Sequence, residues 1–377
     1  MNVLKIVICY LFLNSNFLIA QSLQLRKISK LPSQLSETSG IVFIEGFKFW
    51  SHNDSGNEPA IFEIDTFGNI LRKIFIKNVV NTDWEDITSD EDSNIYIGDF
   101  GNNSNNRKDL KIFKIENPNN YTQDSVNAEI IEFYYSNQSE FPPSENQKNF
   151  DAEAMIYFKS NIYIFTKNYT NPFTGYTYMY KLPSKAGKFK AELIDSFKTG
   201  EGLKELWWVT SASISQDKKK LVLLSSDKLF VFYDFEKENF FKGKSMTFDL
   251  GFISQKEAVS FINNIDFYIT DEYNQIFEGM NLYKGSLMEF FNTTQVGQLK
   301  NLKTYINIGD NDTGITVWLM DQTQNIEITI TDMCGRILDK TMLNNNSPAK
   351  NFEIPKGIYC IILSDKSGYQ HLKFVKY

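Results

Sequence analysis

DWEDITSDEDSNIYIGDFGNNSNNRKDLKIFKI, residues 83–115, holds the pattern that decides the fold. An acidic first segment, Asp83–Ile87, leads to an apolar run at Asn94–Gly98, then to a polar loop with glycine and a third run at Lys111–Ile115. Short apolar runs separated by turn residues read as strands, and the 3.6-residue period of a helix is absent. The same order recurs. ETSGI (37–41) precedes FKFWSHNDSGN (47–57) and IFEID (61–65); DAEAM (151–155) precedes NIYIFTKNYT (161–170) and YMYKL (178–182). TSASI (210–214) leads to KLVLLSSD (220–227) and LFVFYDF (229–235), and EAVS (257–260) to IDFYITDEYN (265–274) and NLYKG (281–285). Most units add a fourth run: NILRKIFIK (69–77), EIIEFYYS (129–136), AELIDSFK (191–198) or SMTFDL (245–250). Four-stranded units starting 47 to 68 residues apart, at Glu37, Glu85, Glu153, Thr210 and Glu257, imply an all-β chain built as a β-propeller. Five units are visible, while the 276 residues from Leu23 to Gln298 would hold six of about 46 each, so five or six blades are expected. LQLRKISKLP (23–32) resembles an outer strand and could close the ring with the last unit. A pair of β-sandwiches would explain the strands but not the repeated acidic start.

Composition narrows the function. Of 377 residues, 42% are hydrophobic and 15% aromatic, which excludes general disorder. A net charge of -7 excludes nucleic-acid binding driven by phosphate contacts. Two histidines and three cysteines leave little for zinc, other transition metals or thiol chemistry. With Lys5 and the nine basic and eight acidic residues after Gln298 set aside, 29 basic and 38 acidic residues remain, so the negative charge belongs to the repeats. MNVLKIVICYLFLNSNFLIA (1–20) reads as a signal peptide, with a basic start, an apolar middle and Ala20 before Gln21. Asn14 and Asn16 interrupt the run, which makes an anchoring helix the lesser alternative.

The first strand of each propeller blade lines the central channel, so Glu37, Glu85, Glu153 and Glu257 could converge at one mouth. Four facing carboxylates repel, and either take up protons or recruit a cation. An oxygen-only site suits Ca²⁺. The competing role is structural, with each glutamate accepting backbone N–H groups of a neighbouring blade. The polar loops place His52, Asn53 and Asp54, and likewise Asp99 and Asn102, beside the mouth as candidate ligand-binding residues, with Arg107 to hold a carboxylate or phosphate. Asp and Asn also favour such loops for their own turns. A Ser-His-Asp triad would have to use His52 or His371 and is set aside. Two functions follow. One is binding of an extracellular ligand, glycan or protein, with Trp50, Trp84, Trp207 and Trp208 as stacking surfaces. The other is Ca-dependent hydrolysis of a phosphoester or lactone, with Glu85 and Glu153 as catalytic carboxylates.

Residues 299–377 read as short strands, Gly314–Met320, Ile326–Asp332, Ile337–Leu343, Phe352–Ile354, Gly357–Leu363 and Tyr369–Val375, the pattern of a small β-sandwich. IEITITDMCGRILDKTM (326–342) and IPKGIYCIILSDKSGYQHLKFVKY (354–377) carry Asp332, Gly335–Arg336, Gly357-Ile358-Tyr359 and a basic ending at Lys373–Lys376. In these marks the tail resembles the type IX secretion C-terminal sorting domain of Bacteroidetes. The resemblance implies export through the periplasm to the outer surface or the medium, with the secretion machinery as partner of 299–377. Cys334 and Cys360 could pair or remain thiols. ETSGI, HNDSGN, DWEDI, GDFGNN, DAEAM, VTSASIS and KEAVSF, in that order, resemble the secreted phytase-like, esterase-like β-propellers of bacteria over most of residues 35–285. That second resemblance implies a propeller and Ca²⁺. The expected organisation is a signal peptide at 1–20, a propeller at 21–298 and a sorting sandwich at 299–377, in a monomer.

Overall fold

The computed structural model describes residues 21–45, 48–275 and 278–291, then 306–310, 314–319, 325–332, 336–344, 347, 349–355, 357–365 and 368–376. The expected signal peptide, Cys334 and Gly335 lie outside the described residues. Two compact units divide the chain between Met288 and Glu289.

The described residues are almost wholly strands. Short β1 (Gln21–Ser22) and β2 (Arg26–Lys30) precede an antiparallel meander of β3 (Thr38–Glu45), β4 (Lys48–Asn53), β5 (Ala60–Asp65) and β6 (Ile70–Ile76). A second meander holds β7 (Trp84–Ser89), β8 (Ile95–Asp99), β9 (Lys111–Ile115) and β11 (Glu129–Tyr135), while the intervening β10 (Ser125–Val126) lies parallel on β6. Then come β12 (Asp151–Phe158), β13 (Asn161–Lys167), β14 (Tyr176–Pro183) and β15 (Gly187–Lys198), followed by β16 (Ser211–Ile214), β17 (Lys220–Leu224), β18 (Lys228–Tyr233) and β19 (Lys244–Asp249). β20 (Lys256–Phe261), β21 (Asp266–Asp271) and β22 (Asn281–Ser286) end the unit, with α1 (Met288–Phe291) behind them. β2 supplies the missing outer strand of this last meander, pairing antiparallel with β22, and β1 lies parallel on β19. The start of the chain therefore closes the ring.

The first strands neighbour one another in the cyclic order β3, β7, β12, β16, β20 and back to β3, which is the arrangement of a propeller. Inner and middle strands are covered on both faces, so they read as continuous apolar runs such as KLVLL and NIYIF. The outer β11, EIIEFYY, has one covered face and alternates accordingly. Aromatic rings fill the space between meanders. Tyr135 and Tyr180, from the second and third, have centroids 4.5 Å apart, and Phe158 and Phe240 meet edge-on at 5.2 Å. Each such pair adds about 0.5–1.5 kcal/mol beyond the area it buries.

Inner strands are not hydrogen-bonded to one another as a sheet, so side chains stitch them. Ser39 Oγ on β3 donates to the Glu85 carbonyl on β7 (2.7 Å). Thr88 Oγ1 accepts from Tyr157 N on β12 (3.2 Å). Ser211 and Ser213 on β16 accept from Val259 N and Phe261 N on β20 (3.1 and 3.0 Å), and Ser260 Oγ accepts from Phe43 N on β3 (3.0 Å). At the centre is Asp86, fully buried on β7. Its carboxylate accepts from Ile87 N (2.9 Å), Met155 N on β12 (2.8 Å), and Ser211 Oγ and Ala212 N on β16 (3.2 and 3.3 Å). Burial pushes its pKa well up, and the surrounding donors oppose that shift. Stapling between inner strands thus belongs to Asp86 and the hydroxyls, whereas the sequence offered that role to the glutamates as the alternative to a cation site.

Two loop assignments shift as well. His52 and Asn53 are the last two residues of β4, and Asp99 is the last of β8, so the polar loops begin beyond them.

The second unit contains a three-stranded sheet of β23 (Ile306–Asp310), β24 (Gly314–Leu319) and β27 (Ala349–Glu353). A four-stranded sheet joins β25 (Ile326–Asp332), β26 (Ile337–Leu343), β28 (Gly357–Asp365) and β29 (Gly368–Lys376) in the order β26-β25-β28-β29. Val317 and Phe352 of one sheet share an apolar cluster with Ile328, Ile330 and Ile361 of the other. Arg336 closes the β25–β26 hairpin on Asp332, donating from its backbone N (3.0 Å) and from Nε (3.1 Å).

Asp86→Ala removes the shared acceptor and strands three donors from neighbouring strands in a dry interior. It is expected to lower the stability of the first unit by at least ~3 kcal/mol. Urea unfolding of the full chain should show a lower midpoint at unchanged slope; wild-type unfolding would refute the staple.

Candidate cation site at the head of the channel

At the N-terminal ends of the inner strands the chain gathers acid. One oxygen each from Asp54, Asp83 and Glu85 lies within 4.8 Å of the other two, the spacing at which a metal ion could be shared. The sequence places them there by different routes. Glu85 is the second residue of β7 and is buried; Asp83 stands just before that strand, and Asp54 just after β4. Asp83 is held by its own backbone N, which donates to Asp99 Oδ1 (3.0 Å). Gly101 is required beside them, because a Cβ there would overlap Glu85 Oε1 and the Asp83 carboxylate.

Glu153, second along the same face of the neighbouring β12, joins the group electrostatically. It bonds Lys167 Nζ through Oε1, while its Oε2 and Asp151 Oδ2 are buried without a partner among the described residues. The carboxylates of Glu85 and Glu257 accept no hydrogen bond among the described residues. The charges are felt across the group. Burial, then Glu153 and Asp54, push Glu85 well up; burial, then Glu153, do the same to Asp151 and Glu257. Glu153 itself rises through burial, with Lys167 pulling the other way. Asp54 is pushed up to about 6 by burial, with Asp83, Glu153 and Glu37 adding to it. Glu272, on the strand-end loop after β21, reaches about 7 through burial and the nearby Asp54 and Glu153. Against these stands Lys167: burial works against its ammonium, but Glu153 and Glu257 outweigh it and hold its pKa well above the usual range.

The other expected residues take different places. Glu37 is exposed, and its Oε2 accepts from Asn57 Nδ2 at 2.5 Å. His52 is fully buried, edge-on to Trp84 at 5.6 Å, with Nδ1 3.1 Å from the Asn53 carbonyl; burial lowers its pKa to about 4. A ring so enclosed packs the wall beneath the mouth and presents nothing to solvent. Asn53 ties β4 to Gln34 O (2.7 Å). Asn102 folds its loop, accepting from Asn106 N and Arg107 N (both 2.9 Å) and donating from its backbone to Asp151 Oδ1 (2.5 Å). Arg107 is fully engaged within the chain, by Asp99 Oδ1 (3.0 Å), Asp109 Oδ1 (3.2 Å) and the Gly101 carbonyl (2.8 Å). It positions the Asp83–Gly101 corner and has no free fork for a phosphate. Of the tryptophans, Trp50 and Trp84 are core, whereas the half-buried Trp208 packs on Tyr169 with centroids 4.7 Å apart and Lys167 Nζ 4.9 Å from its ring.

Sequence reasoning missed Asp83, Asp151, Lys167 and Glu272 as site members. Asp83 and Asp151 were visible in the D-x-E pattern of DWEDI and DAEAM; Lys167 and Glu272 occupy equivalent ends of β13 and the loop after β21, a correspondence that only strand pairing reveals.

No protein-family model matches the chain, and no curated protein does. Solved structures similar to it include PorZ of Porphyromonas gingivalis, an essential bacterial surface component of the type-IX secretion system, at 12% identity over 90% of this chain and 45% of that one, TM-score 0.33. The PQQ-bound aldose sugar dehydrogenase of Streptomyces coelicolor aligns at 7% identity over 70% of this chain and 97% of its own, TM-score 0.41. The Cps50 (Swd1) β-propeller domain of Myceliophteria thermophila aligns at 9% over 66% and 83%, TM-score 0.33. The chain spans less than half the length of PorZ.

Carboxyls raised in the folded state bind protons that the unfolded chain releases. Their stabilising contribution is complete below about pH 4 and is lost as pH climbs through about 6 for Asp54 and about 7 for Glu272. In EDTA, melting should therefore be higher at pH 5 than at pH 8. For Asp54 alone the difference between these two pH values is on the order of 1 kcal/mol after allowing for water at the mouth. A melting temperature that rises from pH 5 to 8 would contradict this electrostatic account.

Proposed function

We propose that the first unit is a five-bladed β-propeller that binds an extracellular ligand or partner through a divalent cation at the head of its channel. The observation that carries this reading is the Asp54, Asp83 and Glu85 oxygens within 4.8 Å of one another, beside two buried carboxylate oxygens that lack any partner among the described residues. Ca²⁺ fits the donor set, which is all hard oxygen and holds no accessible imidazole or thiolate. Bound there, it would neutralise the mutual repulsion of Asp54, Asp83 and Glu85, with Glu153 and Glu257 near enough to feel its charge, while Tyr169 and Trp208 form an aromatic edge for the ligand. Five blades are supported by the five meanders and by the pairing of β2 with β22. Binding is favoured over hydrolysis: Glu153 is already bonded to Lys167, and Glu85 lies among the carboxylates that would hold the cation, so neither is left free to take a proton from an attacking water.

We further propose that the second unit is a β-sandwich sorting domain of the type IX kind, supported by the motif order in residues 326–376 and by the two sheets that share one apolar cluster. It would carry the propeller through the periplasm to the outer surface or the medium.

Melting of the wild type in Ca²⁺ and in EDTA at pH 8 tests the cation. Saturating Ca²⁺ at about 100 times its Kd should stabilise by ~2.7 kcal/mol. Glu85→Gln should melt higher than wild type in EDTA, by relief of repulsion, and should gain little from Ca²⁺. Identical wild-type melting in both buffers would end the cation reading. Deleting residues 299–377 in a host with type IX secretion should leave a folded propeller in the periplasm; normal export of the truncated chain would remove the sorting assignment.

A further inference from the structure

Past Asp86 the channel opens again. At the C-terminal ends of β3, β7, β16 and β20 lies a cavity of about 290 Å³, at the small end of ligand-sized pockets. Three of the stapling hydroxyls, on Thr88, Ser213 and Ser260, are part of its wall. Each oxygen already accepts a backbone N–H from the next inner strand, at 3.2, 3.0 and 3.0 Å, and none of the three O–H groups has an acceptor among the described residues. Such a hydroxyl is left with a proton to give, and the bond it accepts polarises it toward giving it.

Lys218 reaches the same cavity from the β16–β17 turn, where it holds a left-handed φ of 58°. Its ammonium forms no ion pair or hydrogen bond among the described residues. Burial lowers its pKa, with Glu91 and Asp90 opposing only in part. Asp90 is committed elsewhere: its oxygens accept from Asp92 N (3.1 Å), Asn94 N (2.9 Å), Asn94 Nδ2 (2.8 Å) and Tyr96 OH (3.1 Å). Glu91 stands exposed at the rim. A half-buried ammonium among unused O–H donors calls for a guest that only accepts and carries negative charge.

We propose that this cavity is a second ligand site, for a small oxyanion such as a phosphate or carboxylate group, bound by Lys218 Nζ and the O–H groups of Thr88, Ser213 and Ser260. It does not rest on the cation reading. Asp86, bonded across to β12 and β16, lies between the two ends, and their charges are opposite in preference.

The full-length chain in EDTA is titrated with inorganic phosphate and, separately, with acetate, using calorimetry and melting against sodium chloride at matched ionic strength. Saturable binding of one of them is expected, and the two arms tell phosphate from carboxylate. Lys218→Met should weaken it roughly tenfold, the scale of one hydrogen bond to a charged group. Lys218→Arg should retain most of it, Glu91→Gln should strengthen it, and Glu85→Gln should leave it unchanged. Equal response to chloride, or equal binding by Lys218→Met, overturns the proposal. Should Lys218→Met fail to fold, a phosphate-soaked wild-type crystal decides: an anion on Lys218 Nζ supports the site, and water alone in the cavity overturns it.

Discussion

The ring depends on one buried carboxylate. Each inner strand pairs only with the second strand of its own meander, and the one long ladder between meanders joins outer strands, β11 with β15, so no ladder joins one inner strand to the next. That work falls to aromatic packing, which is strong but lacks direction, and to a few polar side chains that set register. Asp86 is the most connected of these, fastening β7 to β12 and to β16 from one position. An unpaired buried carboxylate would cost several kcal/mol. Here the donors that offset this cost come from neighbouring strands, so the group is tolerable only when the ring is assembled.

The position of the acidic head follows from that staple. Once Asp86 is turned inward against β12, Glu85 lies one residue nearer the end of the channel, opposite the corresponding Glu153. The Arg107–Asp99 pair then props Asp83 beside them, and Gly101 leaves the space their carboxylates occupy. Like charges are thus brought together by a scaffold fastened elsewhere. This is why their pKa values climb and why Lys167 is retained among them. The opposite end inherits hydroxyls from the same stitching and has the contrary preference.

Much of this was legible in the chain. Short apolar runs with polar turns identified nearly every strand of the first unit, because strands buried on both faces must be apolar throughout and their turns must be polar. The outer-strand character of residues 23–32 was visible for the same reason. The acidic start of each unit marked the head of the channel through Glu85 and Glu153. What misled was the assignment of roles within a motif. In DWEDI, Glu85 and Asp86 are adjacent and chemically alike, and nothing local says which will meet backbone N–H groups and which the channel. A bulge between Trp84 and Ile87 makes that choice. His52 and Arg107 misled similarly: both sit in polar surroundings by sequence, yet the first is enclosed against Trp84 and the second is held by Asp99 and Asp109.

By itself the sequence determined the strand content, the repeated unit and the surplus of negative charge in the repeats. These follow from local periodicity and from side-chain chemistry, which need no partner to be read. Tertiary structure alone decided which carboxylate became a staple, which came within reach of two others and which lysine was left unpaired at the far end of the channel. Those outcomes depend on distances between strands remote in the chain, and burial and charge act on a side chain only through the neighbours that such distances supply.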